Sequence, residues 1–210
     1  MVRAAALASG DGALLQAILD SMYFNEIPDF ELVAVICPQR DCYAMKRALN
    51  AGVPAYVVDP ELFPTMTSHS MAVANKLKDM DIDLVILAGY DLTLGVIPYQ
   101  FRNRIIGTYP ALYPAFEDME GDLCRAVLER GVKITGATAY FADGDGRVGG
   151  VILQKALEVL PEDDPESLRM RVLEECEWKL LSEAVALYCG GRLTIHGSRV
   201  LIEKEPAAAN

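Results

Sequence analysis

Short continuous apolar runs alternate with amphipathic stretches along this chain. Residues 2–8, "VRAAALA", are apolar after Arg3 and end in "SGDG", beyond which Leu14, Leu15, Ile18, Leu19 and Met22 recur at helical spacing. Strand, Gly-rich turn and helix are therefore predicted in that order. "FELVAVIC" at 30–37 reads as a second strand, and "RDCYAMKRALNAG" as a helix that Gly52 ends at its C′ position. A short strand follows at 53–58, a helix at 68–80, and "IDLVILAGY" from Ile82 is the most strand-like run of all. The first 90 residues thus read β-α-β-α-β-α-β. Strands apolar throughout are buried on both faces, which predicts a mostly parallel, doubly wound α/β sheet with right-handed crossovers and helices on both faces.

After Tyr90 the rhythm changes. The pattern predicts a strand at 104–109, a helix over about 118–130, a strand at 133–142, a Gly/Asp loop at 143–150, a strand at 151–157 and a long helix over about 165–189. The two strands before that helix are close enough in sequence to pair antiparallel at one sheet edge. "RLTIHGSRVLI" at 192–202 reads as a small C-terminal hairpin turning at Gly197 and Ser198. With no internal repeat or interdomain linker, residues 1–205 form one expected domain and 206–210 a frayed tail.

Composition narrows the partners. Thirty acids against 19 bases give a net charge of −11, a field that repels phosphate backbones, so no nucleic-acid partner is expected. The densest basic cluster, "RNR" at 102–104, reads as a solvated helix end. The longest apolar run, 82–90, is broken by Asp83, so no membrane partner is expected, and the N-terminal run is short for a signal peptide. Five cysteines, odd in number and without a C-x-x-C pair, point to free thiols in a reducing cytoplasm and not to zinc. The 52% apolar content permits a homodimer without locating it.

Ser9, Gly10, Asp11 and Gly12 stand between a strand and a helix, where backbone N–H groups and the helix dipole hold anions. The spacing matches neither G-x-G-x-x-G nor a Walker A loop, and Asp11 brings a negative charge, so helix capping by Asp11 is an equal reading. The loop with Asp143, Gly144, Asp145, Gly146 and Arg147 lacks the long ligand series of a calcium loop and reads as a hairpin-like connection carrying binding contacts, with no metal. His69 and His196 have no nucleophile or acid cluster nearby in sequence and read as surface residues. Glu174, Glu175 and Glu177 read as a solvated helix face from which one carboxylate could point into a site.

The order of motifs resembles the folate-dependent formyltransferases, most closely the branch that acts on glycinamide ribonucleotide. "LASGDGALLQAILD" is similar to that family's phosphate loop and first helix, "DLVILAGY" to its fourth strand and folate loop, and "IIGTYPALYP" to its catalytic loop. "GVKITGATAYF" and "GGVILQKALEVLPEDDPESLRMRV" resemble its folate-side strands and their continuation, and "EWKLLSEAVALYCGGRL" its long final helix. The resemblance covers nearly the whole chain. It implies a formyltransferase fold, 10-formyltetrahydrofolate as formyl donor and a small-molecule amine as acceptor. Substrate-binding positions fall on Gly10, Asp11, Gly12, Ala13 and Glu177, and folate-binding positions on Tyr90, Leu92, Ala142, Asp143 and Gly144.

The same resemblance places the catalytic asparagine, histidine and aspartate of the family on Gly107, Tyr109 and Arg147, where none of those side chains is kept. Glycine has no side-chain donor, tyrosine with a reference pKa near 10 is a poor proton shuttle, and Arg147 reverses a charge. Asp11, Ala13 and Leu14 replace polar groups around the phosphate, Asp91 and Leu92 replace Met-Arg, and Glu117 with Asp118 replaces Pro-Gly. The expected function is formyl transfer of the purine-synthesis type that is weak or absent, with a ligand-binding or regulatory homologue as its form. The alternatives are an active enzyme with another acceptor, in which Asp143 or Asp145 replaces the missing aspartate, and a non-catalytic structural subunit.

Overall fold

The computed structural model describes residues 1–117, 119, 121–144 and 146–203. Asp118, Asp145 and the expected tail at 206–210 lie outside them. Among the described residues, nine strands form one sheet: β1 Val2–Ala8, β2 Phe30–Cys37, β3 Ala55–Val57, β4 Leu84–Ala88, β5 Ile105–Tyr109, β6 Ile134–Ala142, β7 Val148–Glu158, β8 Leu193–His196 and β9 Arg199–Ile202. Their order is β3-β2-β1-β4-β5-β6-β7-β9-β8. The first five are mutually parallel, β6 runs antiparallel to β5, and β7 antiparallel to β6. The doubly wound sheet is as the sequence predicts. One expectation fails: β7 is not an edge strand, because β9 pairs parallel to it at Val151 and Arg199, and the terminal hairpin closes the sheet with β8.

The helices are α1 Ala13–Tyr23, α2 Tyr43–Asn50, α3 Met66–Asp79, α4 Ile97–Gln100, α5 Leu123–Glu129, α6 Pro165–Arg171 and α7 Trp178–Cys189. Side chains alternate across each strand. Ala4, Ala6 and Ala8 of β1 therefore face Leu15, Ile18, Leu181 and Val185 of α1 and α7, while Ala5 and Leu7 face Val73 and Leu77 of α3 with Ile97 and Phe101. The small side chains of the central strand let helices approach closely on both sides.

The helical stretch at 165–189 contains a π-helical turn over 172–177, between α6 and α7. Such a turn rotates the following residues relative to a regular helix and often marks a functional site. The helix predicted over 118–130 is the shorter α5, capped by Asp122, whose carboxylate accepts from the N–H groups of Cys124 and Arg125. The expected loop ends early, since Gly149 and Gly150 already belong to β7. His69 is not a surface residue: it is 1% exposed, its Nε2 lies 2.9 Å from the Val58 carbonyl, and Phe63 packs edge-on against its ring. His196 is exposed.

Candidate functional site

The ends of β1 and β4 part at the point where the strand order reverses, the place where open α/β sheets bind ligands. Two loops meet there. Ser9 Oγ donates to Asp91 Oδ1 at 2.5 Å, and Ser9 N donates to the Gly89 carbonyl at 3.2 Å. Gly10 and Gly12 have φ of 58° and 70°, the left-handed region that glycine enters without steric cost. A Cβ on Gly12 would lie 2.7 Å from Ala44 Cα, so this glycine also lets α2 pack on the loop.

The N-cap of α1 is Gly12 and not Asp11, which stands one residue earlier and accepts from Ala13 N at 3.0 Å. One N–H group at the helix start is thus already held by a carboxylate. Arg47 reaches over the loop, donating from Nε to the Asp11 carbonyl at 2.7 Å and from Nη1 to Gln16 Oε1 at 2.9 Å. Its guanidinium is committed to holding the loop.

At the end of β5, Gly107 pairs across to Tyr140 of β6. A Cβ on Gly107 would lie 3.1 Å from Leu87 Cδ1 and 3.4 Å from Tyr140 Cζ, so those two side chains close over it. Tyr109 turns its hydroxyl back to its own loop, donating to the Ala115 carbonyl at 3.1 Å. Burial raises its pKa, and the nearby Glu117 and Tyr113 add to the effect. Burial likewise pushes the Tyr140 hydroxyl up to about 12, reinforced by Glu177 and Asp143. Tyr109, Tyr113, Tyr140 and Arg147 line one cavity of about 430 Å³ with Glu117. The three sequence positions Gly107, Tyr109 and Arg147 therefore converge, Gly107 beneath the Tyr140 ring.

Glu177 lies at the other face of β5. Among the three glutamates it alone is buried, at 8% exposure, while Glu174 and Glu175 are exposed. Thr108 Oγ1 donates to its Oε1 at 2.6 Å. Burial pushes the Glu177 carboxyl up to about 6, against the opposing pull of the Thr108 hydrogen bond.

The positions expected to bind folate separate. Ala142, Asp143 and Gly144 line a cavity of about 890 Å³ with Tyr99, Arg102 and residues 148–151. Tyr90 and Leu92 line neither cavity; Tyr90 packs into the core on the α3 side, where burial, with Asp91 and Cys37, raises its hydroxyl pKa. Asp143 N donates to the Arg147 carbonyl at 3.1 Å and Gly146 N to the Asp143 carbonyl at 2.8 Å, which closes a tight turn. No group of three or more His, Cys, Asp or Glu suited to a metal occurs among the described residues.

Four residues at the site escape sequence reasoning. Thr108 supplies the partner of Glu177. Thr138 is fully buried and makes three hydrogen bonds, accepting from Tyr113 N at 3.0 Å and Gln154 Nε2 at 3.0 Å and donating to the Ala111 carbonyl at 2.8 Å. Gln154 Nε2 also donates to the Tyr113 carbonyl at 2.9 Å. Together they fasten the loop after β5 to β6 and β7. Tyr140 is the fourth. The alternation in "TGATAYF" puts Thr138 and Tyr140 on one face, but only the β5–β6 register reveals that Gly107 and Tyr109 share it.

A family profile described as formyl transferase matches residues 2–185. The chain belongs to the formyl transferase family. Among solved formyl transferases it is similar to glycinamide ribonucleotide transformylase 1 from Symbiobacterium toebii, at 40% identity and a TM-score of 0.91, covering 97% of this chain and 95% of that one. It is 33% identical over 197 residues to the phosphoribosylglycinamide formyltransferase of Mycobacterium tuberculosis strain H37Rv, covering 93% of this chain and 88% of that protein. It is 31% identical over 194 residues to the trifunctional purine biosynthetic protein adenosine-3 of Drosophila pseudoobscura pseudoobscura, covering 91% of this chain but only 14% of that protein. The formyl transferase match holds β1 to the greater part of α7 and leaves the β8–β9 hairpin outside it.

Proposed function

We propose that this chain is a ligand-binding member of the formyl transferase family in which transfer from 10-formyltetrahydrofolate to glycinamide ribonucleotide is weak or absent. The observation that carries the reading is the closure of Leu87 and Tyr140 over Gly107, at the position where the family has a side-chain donor.

Formyl transfer to an amine needs a donor for the oxygen that becomes negative and a group that takes the amine proton. Gly107 offers no side-chain donor. The Tyr109 hydroxyl is spent on Ala115, and its raised pKa makes it a poor proton carrier near neutrality. Arg147 can donate to an oxyanion but cannot accept a proton. Losing one oxyanion donor costs about 10² to 10³ in rate, so two altered positions leave little of the ordinary activity. At the substrate end, Asp11 opposes a phosphate. Ala142, Asp143 and Gly144 fit a flat carrier group, because their cavity is large and its glycine wall is free of side chains. When bound, such a folate would supply the formyl group.

The test is formyl transfer to glycinamide ribonucleotide by the native chain beside the triple variant Gly107→Asn, Tyr109→His, Arg147→Asp. Turnover by the native chain at ordinary enzyme rates would overturn the proposal. A second reading, an active enzyme with another amine acceptor, is favoured by Glu177, whose carboxyl at about 6 is a base of suitable strength near neutral pH. A screen of primary amines against native protein and Glu177→Gln tests it, with loss of transfer in the variant as the expected sign.

A further inference from the structure

The cavity of about 430 Å³ combines an aromatic corner with one acidic and one basic side chain. Tyr109 and Tyr113 meet at 85°, with ring centroids 6.3 Å apart. Two rings at right angles make a corner in which a single cation can lie within about 6 Å of both centroids, the range over which negative ring faces attract it. The corner is built before any ligand arrives. The Tyr109 hydroxyl donates to the Ala115 carbonyl at 3.1 Å and the Tyr113 hydroxyl to Glu117 Oε1 at 2.7 Å, while Thr138 and Gln154 fasten the Tyr113 backbone. Both hydroxyls are engaged, and Glu117 stands with its carboxylate beside the rings.

The basic side chain is Arg147. It is exposed, lines the same cavity and makes no ion pair or side-chain hydrogen bond with any described residue. The turn that carries it is anchored, because the Asp143 N–H holds the Arg147 carbonyl and a Cβ on the preceding Gly146 would lie 3.1 Å from Cδ1 of the buried Leu94. Groups held in place beforehand lose less freedom when a ligand binds.

The two ends call for opposite charges in one molecule. A guanidinium offers a planar fork of donors that matches a carboxylate, whereas ring faces beside Glu117 suit a cation. A primary ammonium brings three N–H donors, for which ring faces supply no lone pairs, so a methylated ammonium is the better match to the corner.

We infer that Tyr109, Tyr113, Glu117 and Arg147 form a site for an N-methylated amino acid, with the ammonium in the tyrosine corner and the carboxylate on Arg147. The inference rests on the ligand-binding reading and names the class of ligand. A fully methylated nitrogen has no N–H to exchange for a formyl group, so such a molecule occupies the site without becoming an acceptor.

Calorimetric titration of the full chain tests it, with trimethylglycine and the longer trimethylammoniobutanoate as zwitterions and glycine, acetate and tetramethylammonium as partial probes. At least one zwitterion is expected to bind about tenfold or more tightly than each partial probe. Arg147→Gln weakens that zwitterion by about tenfold or more and leaves tetramethylammonium unaffected, because only the carboxylate end is lost. Glu117→Gln and Tyr113→Ala weaken the zwitterion and tetramethylammonium together, while Tyr113→Phe, which keeps the ring, loses less than Tyr113→Ala. Lys46→Gln makes the same change in net charge as Arg147→Gln outside the cavity and leaves affinity unchanged. Binding of neither zwitterion by the native chain, equal affinity in Arg147→Gln or in Glu117→Gln, or an equal loss in Lys46→Gln would each overturn the site. Ordinary formyl-transfer turnover would instead overturn the preceding proposal and leave this binding result standing, so the two failures are distinguishable.

Discussion

Thr108 holds Glu177 by a 2.6 Å hydrogen bond from the end of β5 to the π-helical turn ahead of α7. The bond ties the loop-bearing strand to the long helical segment and gives a buried carboxylate a hydroxyl donor. A carboxylate in such a place makes stability depend on pH.

The ordinary glutamate value is 4.5 and the folded value about 6. Folding therefore favours the protonated form: below 4.5 both states are protonated and there is no penalty, and as pH rises through 6 the folded state loses stability. The loss is about 2 kcal/mol at one pKa unit per 1.36 kcal/mol. Urea denaturation at pH 4.5 and pH 7.5 is expected to show that loss in the native chain relative to Glu177→Gln. Parallel pH profiles for the two proteins would contradict it.

Gly107→Asn alone is expected to destabilise the chain by about 1–3 kcal/mol, because the new side chain must displace Tyr140 or Leu87. Adding Tyr140→Ala makes room, so the penalty of the pair is smaller than the sum of the single changes. Thermal melting of the four proteins in this double-mutant cycle reads the coupling directly.

Thr138→Val removes the hydroxyl that serves Tyr113, Ala111 and Gln154 while keeping nearly the same volume. Leaving these buried groups without their partner costs about 1–3 kcal/mol. The loop after β5 should also exchange its Tyr113 amide hydrogen faster. Unchanged exchange at that amide would mean the loop is held by other contacts.

Asp11→Ala is expected to cost about 0.5–1.5 kcal/mol through the lost hydrogen bond from Ala13 N at the start of α1. The same change removes a negative charge from the loop, so binding of a phosphate-bearing amine should strengthen as stability falls. Weaker binding in the variant would assign Asp11 to the ligand instead of against it.

Much of this was legible in the chain. The continuous apolar strands and the glycines after β1 prescribe the parallel half of the sheet and its open crevice, since both are local patterns. Glycine composition misled at Gly149 and Gly150: they read as loop, but lie in β7 because Ala142 pairs with Val148 and Tyr140 with Val151, a bulge at which the strands approach too closely for side chains. His69 reads as polar surface because nothing local announces the Val58 carbonyl that receives its ring. The closure of Tyr140 over Gly107 and the pairing of Thr108 with Glu177 depend on partners 33 and 69 positions away, distances at which periodicity carries no information.

The terminal hairpin also bears on self-association. Because β9 pairs with β7 at Val151, the β7 backbone groups there, beside the large cavity, are shielded from other chains, and the edge on this side of the sheet is the short β8. A version ending at Gly191 would bare the β7 backbone groups around Val151 as a template for edge-to-edge self-association. Light scattering of that version should show growing particles under conditions in which the full chain stays dispersed.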